Sequence, residues 1–374
     1  MNLINYMIIH IPTRIHPSRM DIGKLFLTAL DSSAPVLILI ALGAFFTTIN
    51  LVPGKHYKSL NNITFKFAIT ISAIYTIGRQ DLSKNDMKVV LALILITIVG
   101  LAAVVPLAFL YRPQERYHAY ASISAIVLLN NSVFSGLPVF GGIYGPDIAA
   151  RFAYLQMLVL FSFALAFVYL AFEFAQIHVV PAENAQTAAP VSFGKTCAIC
   201  LKKTFLQPLI IAIIISIVYN ILARYIKFLA PLPPYLSNFF KNFSQISAPL
   251  GLLSLGMFAA DLVKSKRRAQ ASYEVLQTPI SMQIISFVLI CILRSFALPL
   301  VFILICKMLN IEARSAEINA AIYSSPSATF SYALCDEYEF GAGWAGLQCS
   351  LGIIVSMFAI PVIQIVSRAV YGVK

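Results

Sequence analysis

Residues Asn130 to Gly145 read NNSVFSGLPVFGGIYG, directly after the apolar run AYASISAIVLL. Two adjacent asparagines, several glycines and a proline stand where a membrane span would be expected. A helix interior tolerates glycine poorly and proline worse. In a bilayer, a freed backbone group survives only where protein or a watery cavity surrounds it. The stretch therefore reads as a broken helix, with Gly136 and Pro138 as the expected points of interruption.

Working outward, the chain has 374 residues, 59% of them hydrophobic and only 11% charged. Soluble domains carry about 25% charged residues. The apolar runs match the ~20 residues that cross a ~30 Å hydrocarbon core. Ten spans are expected, at 34–49, 62–78, 88–111, 119–144, 149–176, 206–226, 236–261, 279–306, 316–336 and 342–366. Helix is the assignment, because alternating strand patterns are absent and lipid demands internal backbone pairing. The fold class is an all-α integral membrane protein.

The net charge of +12 lies mostly in short loops and tails, where lipid phosphates are the natural partners. The densest run, Lys264 to Arg268, has no aromatic interleaving, which excludes nucleic acid as a partner. The cysteines are scattered, and Cys197 and Cys200 form a lone pair without nearby histidines. No metal or cofactor is expected. Residues 1–30 carry no secretory signal and read as an N-terminal tail.

A polar central loop, 177–205, separates a first five-helix unit at 31–176 from a second at 206–368, with a short tail at 369–374. Pro106-Leu-Ala-Phe is echoed by Pro299-Leu-Val-Phe, Leu155-Gln156 by Leu347-Gln348, and Tyr144 by Tyr338. All three echoes share an offset of about 193 residues, and five spans per unit invert the second unit relative to the first. Loop charges are nearly even between the two sides, and the Lys264–Arg268 run votes for its side being inside. The orientation expected is N-out and C-out.

The repeat mate of the first break lies in SAEINAAIYSSPSATFSYALC, where Ser324, Ser325, Pro326 and Ser327 interrupt the apolar run. Two interrupted helices that cross present free N–H groups and positive dipole ends to a shared point. Such a point suits an anion, above all a carboxylate. Asn130 and Asn131 add neutral donors and acceptors there without an intramembrane charge. Asn130, Asn131, Ser325, Pro326 and Ser327 are the candidate substrate residues.

NNSVFSGLPVFGGIYG resembles the Asn-Asn-x-x-Phe-x-Gly-(Ile/Leu)-Pro…Tyr-Gly signature in the fourth helix of the auxin efflux carrier family, which includes plant PIN-FORMED carriers and bacterial carboxylate transporters. PVLILIALGAFF (Pro35–Phe46) is similar to that family's first helix and APLGLLSLGMFAADL (Ala248–Leu262) to its seventh. Arg294–Pro299 and Ala320–Thr329 are similar to its eighth and ninth. The resemblance implies ten helices in a five-plus-five inverted repeat with crossed fourth and ninth helices, as in sodium/proton antiporters and bile-acid symporters. It also implies a scaffold part, a transport part, and transport of organic anions such as indole-3-acetate or malate, with the carboxylate at Asn130, Asn131 and Pro326. One departure is Ile69-Thr70, where the second helix of the family often carries Leu-Pro.

Three further polar residues are candidates. Gln156 and Gln348 occupy matching places in the fifth and tenth spans, facing the crossover or bonding a neighbouring carbonyl. Arg294, deep in the eighth, attracts an anionic substrate or caps the carbonyls freed near Pro299. The middle of the fifth span, Arg151 to Ala171, holds no Asp or Glu of the kind a cation/proton antiporter of this fold requires, and all five histidines lie outside the spans or at their edges. No catalytic constellation stands at membrane depth, so an enzyme is not expected. The expected function is secondary transport of a small organic anion by an elevator-type movement. The alternatives are a sodium-coupled bile-acid-type symporter and a non-transporting membrane sensor. The partners are the anion and the lipid bilayer, with coupling to H⁺ or Na⁺ and homodimer formation left open. The short central loop points to a bacterial inner membrane.

Overall fold

The computed structural model describes residues 22–53, 56–78, 84–179, 193–206, 208–226, 233–264 and 278–372. It is all-helical over them. Helix α1 (Ile22–Thr48) begins inside the segment read as a tail. Helices α2 (Tyr57–Ile63) and α3 (Thr70–Gly78) are joined without a break by a wider π-turn at Thr64–Ile69. Next come α4 (Lys84–Ala108), α5 (Arg116–Leu128) and α6 (Leu137–Tyr144), the last preceded by a π-turn at Ser132–Gly136. Helices α7 (Pro146–Val159) and α8 (Leu165–Val179) form one rod around a π-turn at Leu160–Ala164.

The loop region holds α9 (Phe193–Phe205), so part of 177–205 is helical, while 180–192 lies outside the described residues. The second unit contains α10 (Pro208–Tyr225), α11 (Pro234–Lys264), α12 (Ile280–Ile292) and α13 (Leu298–Met308). A π-turn at Leu293–Ala297 links α12 to α13. The chain finishes with α14 (Ala313–Tyr323), α15 (Thr329–Glu337) and α16 (Ala342–Tyr371). Among the described residues, six helices are long and apolar enough to cross a membrane.

Two helix sets pack together. Helices α1, α2–α3, α10 and α11 contact one another. The approach of α1 to α11 depends on glycine: a Cβ on Gly43 would stand 2.2 Å from the Leu253 carbonyl oxygen, and one on Gly256 only 1.9 Å from that of Ile40. Helices α4 to α8 and α12 to α16 form the second set around the two breaks. The first set exposes large apolar side chains, including Ile211, Ile214, Ile215 and Val218 of α10. The second set buries most of the polar groups near the breaks, where lipid could not satisfy them.

Ionic clamps close one side of the second set. Arg151 of α7 pairs with buried Asp86 of α4, and Arg368 of α16 grips both oxygens of Glu317 on α14 at 3.0 Å each. Tyr144, at the end of α6, donates to Glu317 and accepts from Gln364. On the opposite side, Tyr338 donates to Glu173 at 2.8 Å, and Lys58 reaches Asp336 across the two sets at 2.8 Å.

Candidate functional site: the paired helix breaks

The fourth-span helix stops because Leu129 turns extended (φ −83°, ψ 99°) and Asn131 leaves the helical region (φ −92°, ψ 53°). Asparagine competes for nearby backbone donors, and Asn131 does so here: its Oδ1 accepts the Phe134 N–H at 3.2 Å. Its carbonyl accepts from Gly136 N–H at 3.1 Å and from Ser135 Oγ at 2.9 Å. The ninth-span helix stops at Ser324, ahead of Pro326, whose ring bars helix for the residue before it.

The freed backbone groups of the two breaks satisfy each other. Asn131 N–H donates to Pro326 O, and Ala328 N–H to Leu129 O, both at 2.8 Å. Asn130 and Ser327 thus form a single antiparallel bridge. Ser327 Oγ adds a bond to Ile126 O at 2.6 Å.

Gly136 and Pro138, expected at the interruption, lie downstream of it in continuous helix. Gly136 is right-handed helical and Pro138 sits in the first turn of α6. The physical reason is the π-turn, whose bond from Gly136 N–H back to Asn131 O spans five residues rather than four. The added residue per turn relieves the clash between a proline ring and the carbonyl four residues earlier. Pro299 follows its own π-turn in the same way.

Gln156 joins the site directly. Its Oε1 accepts from Asn130 Nδ2 and its Nε2 donates to Asn319 O, both at 2.7 Å. Arg294 is fully buried and donates to three carbonyls: Val127 O, Ser325 O at 2.7 Å and Pro326 O at 3.3 Å. The carbonyls it caps belong to the two breaks and not to the neighbourhood of Pro299. Gln348 stands apart from the bridge. Its Oε1 accepts from Cys291 Sγ at 2.9 Å, and a Cβ on neighbouring Gly352 would meet Pro326 Cβ at 3.0 Å.

Among the described residues, several buried polar atoms at the breaks have no hydrogen-bond partner, including Asn131 Nδ2, Ser132 Oγ and Thr329 Oγ1. Ser132 opens the helix running into α6 and Thr329 opens α15. All three atoms can donate, and they stand at two helix N-termini, where the partial charge is positive. Ser132 and Thr329 are not among the candidate site residues of the sequence, although Ser132 directly follows Asn131 and Thr329 stands two residues past Ser327. Asn319, whose carbonyl anchors Gln156, is invisible without the fold.

Phe134, inside the π-turn, presses against α11 so closely that a Cβ on Gly251 would come within 2.2 Å of its ring. The donors therefore lie close to the meeting of the two helix sets. Toward the Lys58–Asp336 side, Tyr57, Phe258 and Tyr332 pack at tilted angles across that meeting, with the Phe258 and Tyr332 ring centres 3.9 Å apart. A separate cleft lined by Tyr111, Ser122, Gln283, Phe287, Phe340 and Trp344 has free volume of about 10 Å³, enough for about one water. Among the described residues, no cluster of three His, Cys, Asp or Glu side chains is arranged to hold a metal.

No curated protein matches the chain. A family model described as membrane transport protein matches residues 28–364, nearly the whole length. With its paired breaks and apolar helices, the chain is an integral membrane protein that belongs to this transporter family, that of the auxin efflux carriers and their PIN-like relatives.

Proposed function

We propose that the protein is a secondary transporter of a small organic anion, a carboxylate, bound at the paired breaks. The observation that carries this reading is the group of unpartnered donors, Asn131 Nδ2, Ser132 Oγ and Thr329 Oγ1, at two helix N-termini. A carboxylate has two oxygens and about four lone-pair positions to offer such donors. Asn130, Ser325, Pro326, Ser327 and Gln156 shape the site through the bridge and the amide chain, and Gln348 stands nearby on α16 with its oxygen bonded to Cys291.

The ten-span, five-plus-five inverted architecture belongs to the same proposal. The antiparallel bridge between Asn130 and Ser327 supports it, because a twofold axis through the crossing requires that sense of pairing. The division into two helix sets supports an elevator-type movement of the second set against the first. We place the protein in a bacterial inner membrane with the Lys264 side inside.

The test is flux into liposomes loaded with buffer, using labelled indole-3-acetate and malate with and without a sodium gradient. Sodium-independent uptake of either carboxylate, lost in Asn131→Ala, is the expected result. A sodium-coupled symporter is the second reading, favoured by two buried acceptors without a donor, Asn130 Oδ1 and Asn319 Oδ1. Uptake that requires sodium would select it. Carboxylate binding with no flux would select a sensor instead.

A further inference from the structure

Four helix ends meet at the crossover. Helix α5 ends at Leu128 and α14 at Tyr323, while the helix from Ser132 and α15 from Thr329 begin there. Each C-terminal end carries about half a negative charge and each N-terminal end about half a positive charge. Left alone, the four would cancel, and the site would have no preference for an anion over a neutral ligand of the same shape.

Arg294 changes that balance. It arrives from the π-turn between α12 and α13, is fully buried, and has no carboxylate partner among the described residues. Both of its terminal nitrogens go to carbonyls: Val127 O in the last turn of α5, and Ser325 O and Pro326 O just past the end of α14. Its contacts therefore fall on the negative ends and none on the positive ends. A guanidinium is always charged in proteins. One full positive charge thus offsets two half charges at the C-terminal ends, and the two N-terminal ends keep a surplus of about one positive charge.

We propose that Arg294 is a positioning residue that sets the charge of the site without touching the ligand. By neutralising the negative ends of α5 and α14, it leaves the donors at Asn131, Ser132 and Thr329 facing a net charge that a single carboxylate balances. The site then favours a ligand carrying one negative charge over a neutral or a doubly charged one of equal size. This inference rests on the carboxylate reading of the crossover.

The experiment measures binding by thermal stabilisation in detergent, using two matched series. One is succinamide, succinamate and succinate, with charges of zero, minus one and minus two. The other is indole-3-acetamide and indole-3-acetate. Wild type, Arg294→Lys and Arg294→Gln are compared. In wild type the singly charged member of a series binds best. Arg294→Gln weakens that member by about tenfold or more while binding of the amide stays level, and Arg294→Lys restores most of the preference.

If wild type binds no carboxylate in either series, the crossover reading itself fails, and this inference falls with it. If wild type binds carboxylates and Arg294→Gln keeps the full carboxylate-over-amide preference, only the present inference is overturned. Should Arg294→Gln fail to fold, wild type still decides: succinate binding more tightly than succinamate contradicts a surplus of one charge.

Discussion

The two helix breaks repair their backbones in one shared bridge and differ in what their side chains do next. In the ninth span three serine hydroxyls are spent on carbonyls, Ser324 Oγ on Ala321 O, Ser327 Oγ on Ile126 O and Ser331 Oγ on Ala328 O, and the Thr329 hydroxyl at the break stays free. No side chain caps α15, and the Ser325 and Pro326 carbonyls ahead of it take their donors from Arg294. In the fourth span Asn131 caps its own π-turn through Oδ1 and keeps its amide nitrogen free, beside an equally free Ser132 hydroxyl. The ninth-span break is mainly a brace and the fourth-span break mainly a receptor. Pseudo-symmetric segments can therefore share a backbone geometry while only one of them offers most of the chemistry.

The strongest way to break this contrast is Arg294→Met. It strands the buried carbonyls of Val127 and Ser325, one at each break, and is expected to cost about 3 kcal/mol or more, seen as a lower thermal midpoint in detergent. A loss no larger than that of a surface substitution would mean that the ninth break does not lean on Arg294. Gln156→Leu comes next, at about 2 kcal/mol, because it leaves Asn130 Nδ2 without its partner in a buried site.

Asn131→Ala sharpens the contrast. Loss of a cap of this kind costs about 1 kcal/mol, yet carboxylate uptake should fall to background. Ser324→Ala in the brace should cost a similar amount or less and leave uptake near wild type. Equal losses of uptake from the two substitutions would erase the distinction between brace and receptor. The smallest effect is expected from Lys58→Ala, whose partner pair is solvent-exposed and contributes at most about 1 kcal/mol.

Much of this was legible in the sequence, and the physical reasons for the misses are specific. Asn130, Asn131 and the Ser-Ser-Pro-Ser run announced two breaks, since such residues are costly in lipid unless they have a purpose. The exact place of the first break was misread, because Gly136 and Pro138 are helix breakers by propensity and a π-turn absorbs both. Arg294 was visible as an oddity, but its partners lie 167 and 31 residues away along the chain, and no local pattern connects them. Gln156 and Gln348 matched in the repeat, yet only Gln156 bonds a bridge residue. Helix α9, inside a segment of linker composition, and the start of α1 at Ile22 were hidden by prolines and charges nearby.

The most direct test of the carboxylate site is thermal stabilisation of the detergent-purified protein across a panel of small carboxylates, in wild type and in Asn131→Ala. A ligand that binds only the folded state at 100 times its Kd adds about 2.7 kcal/mol of stability. The expected result is a shift of that order with one class of carboxylate in wild type, abolished in Asn131→Ala. A shift that survives the substitution unchanged would place the ligand elsewhere and contradict the site at the paired breaks.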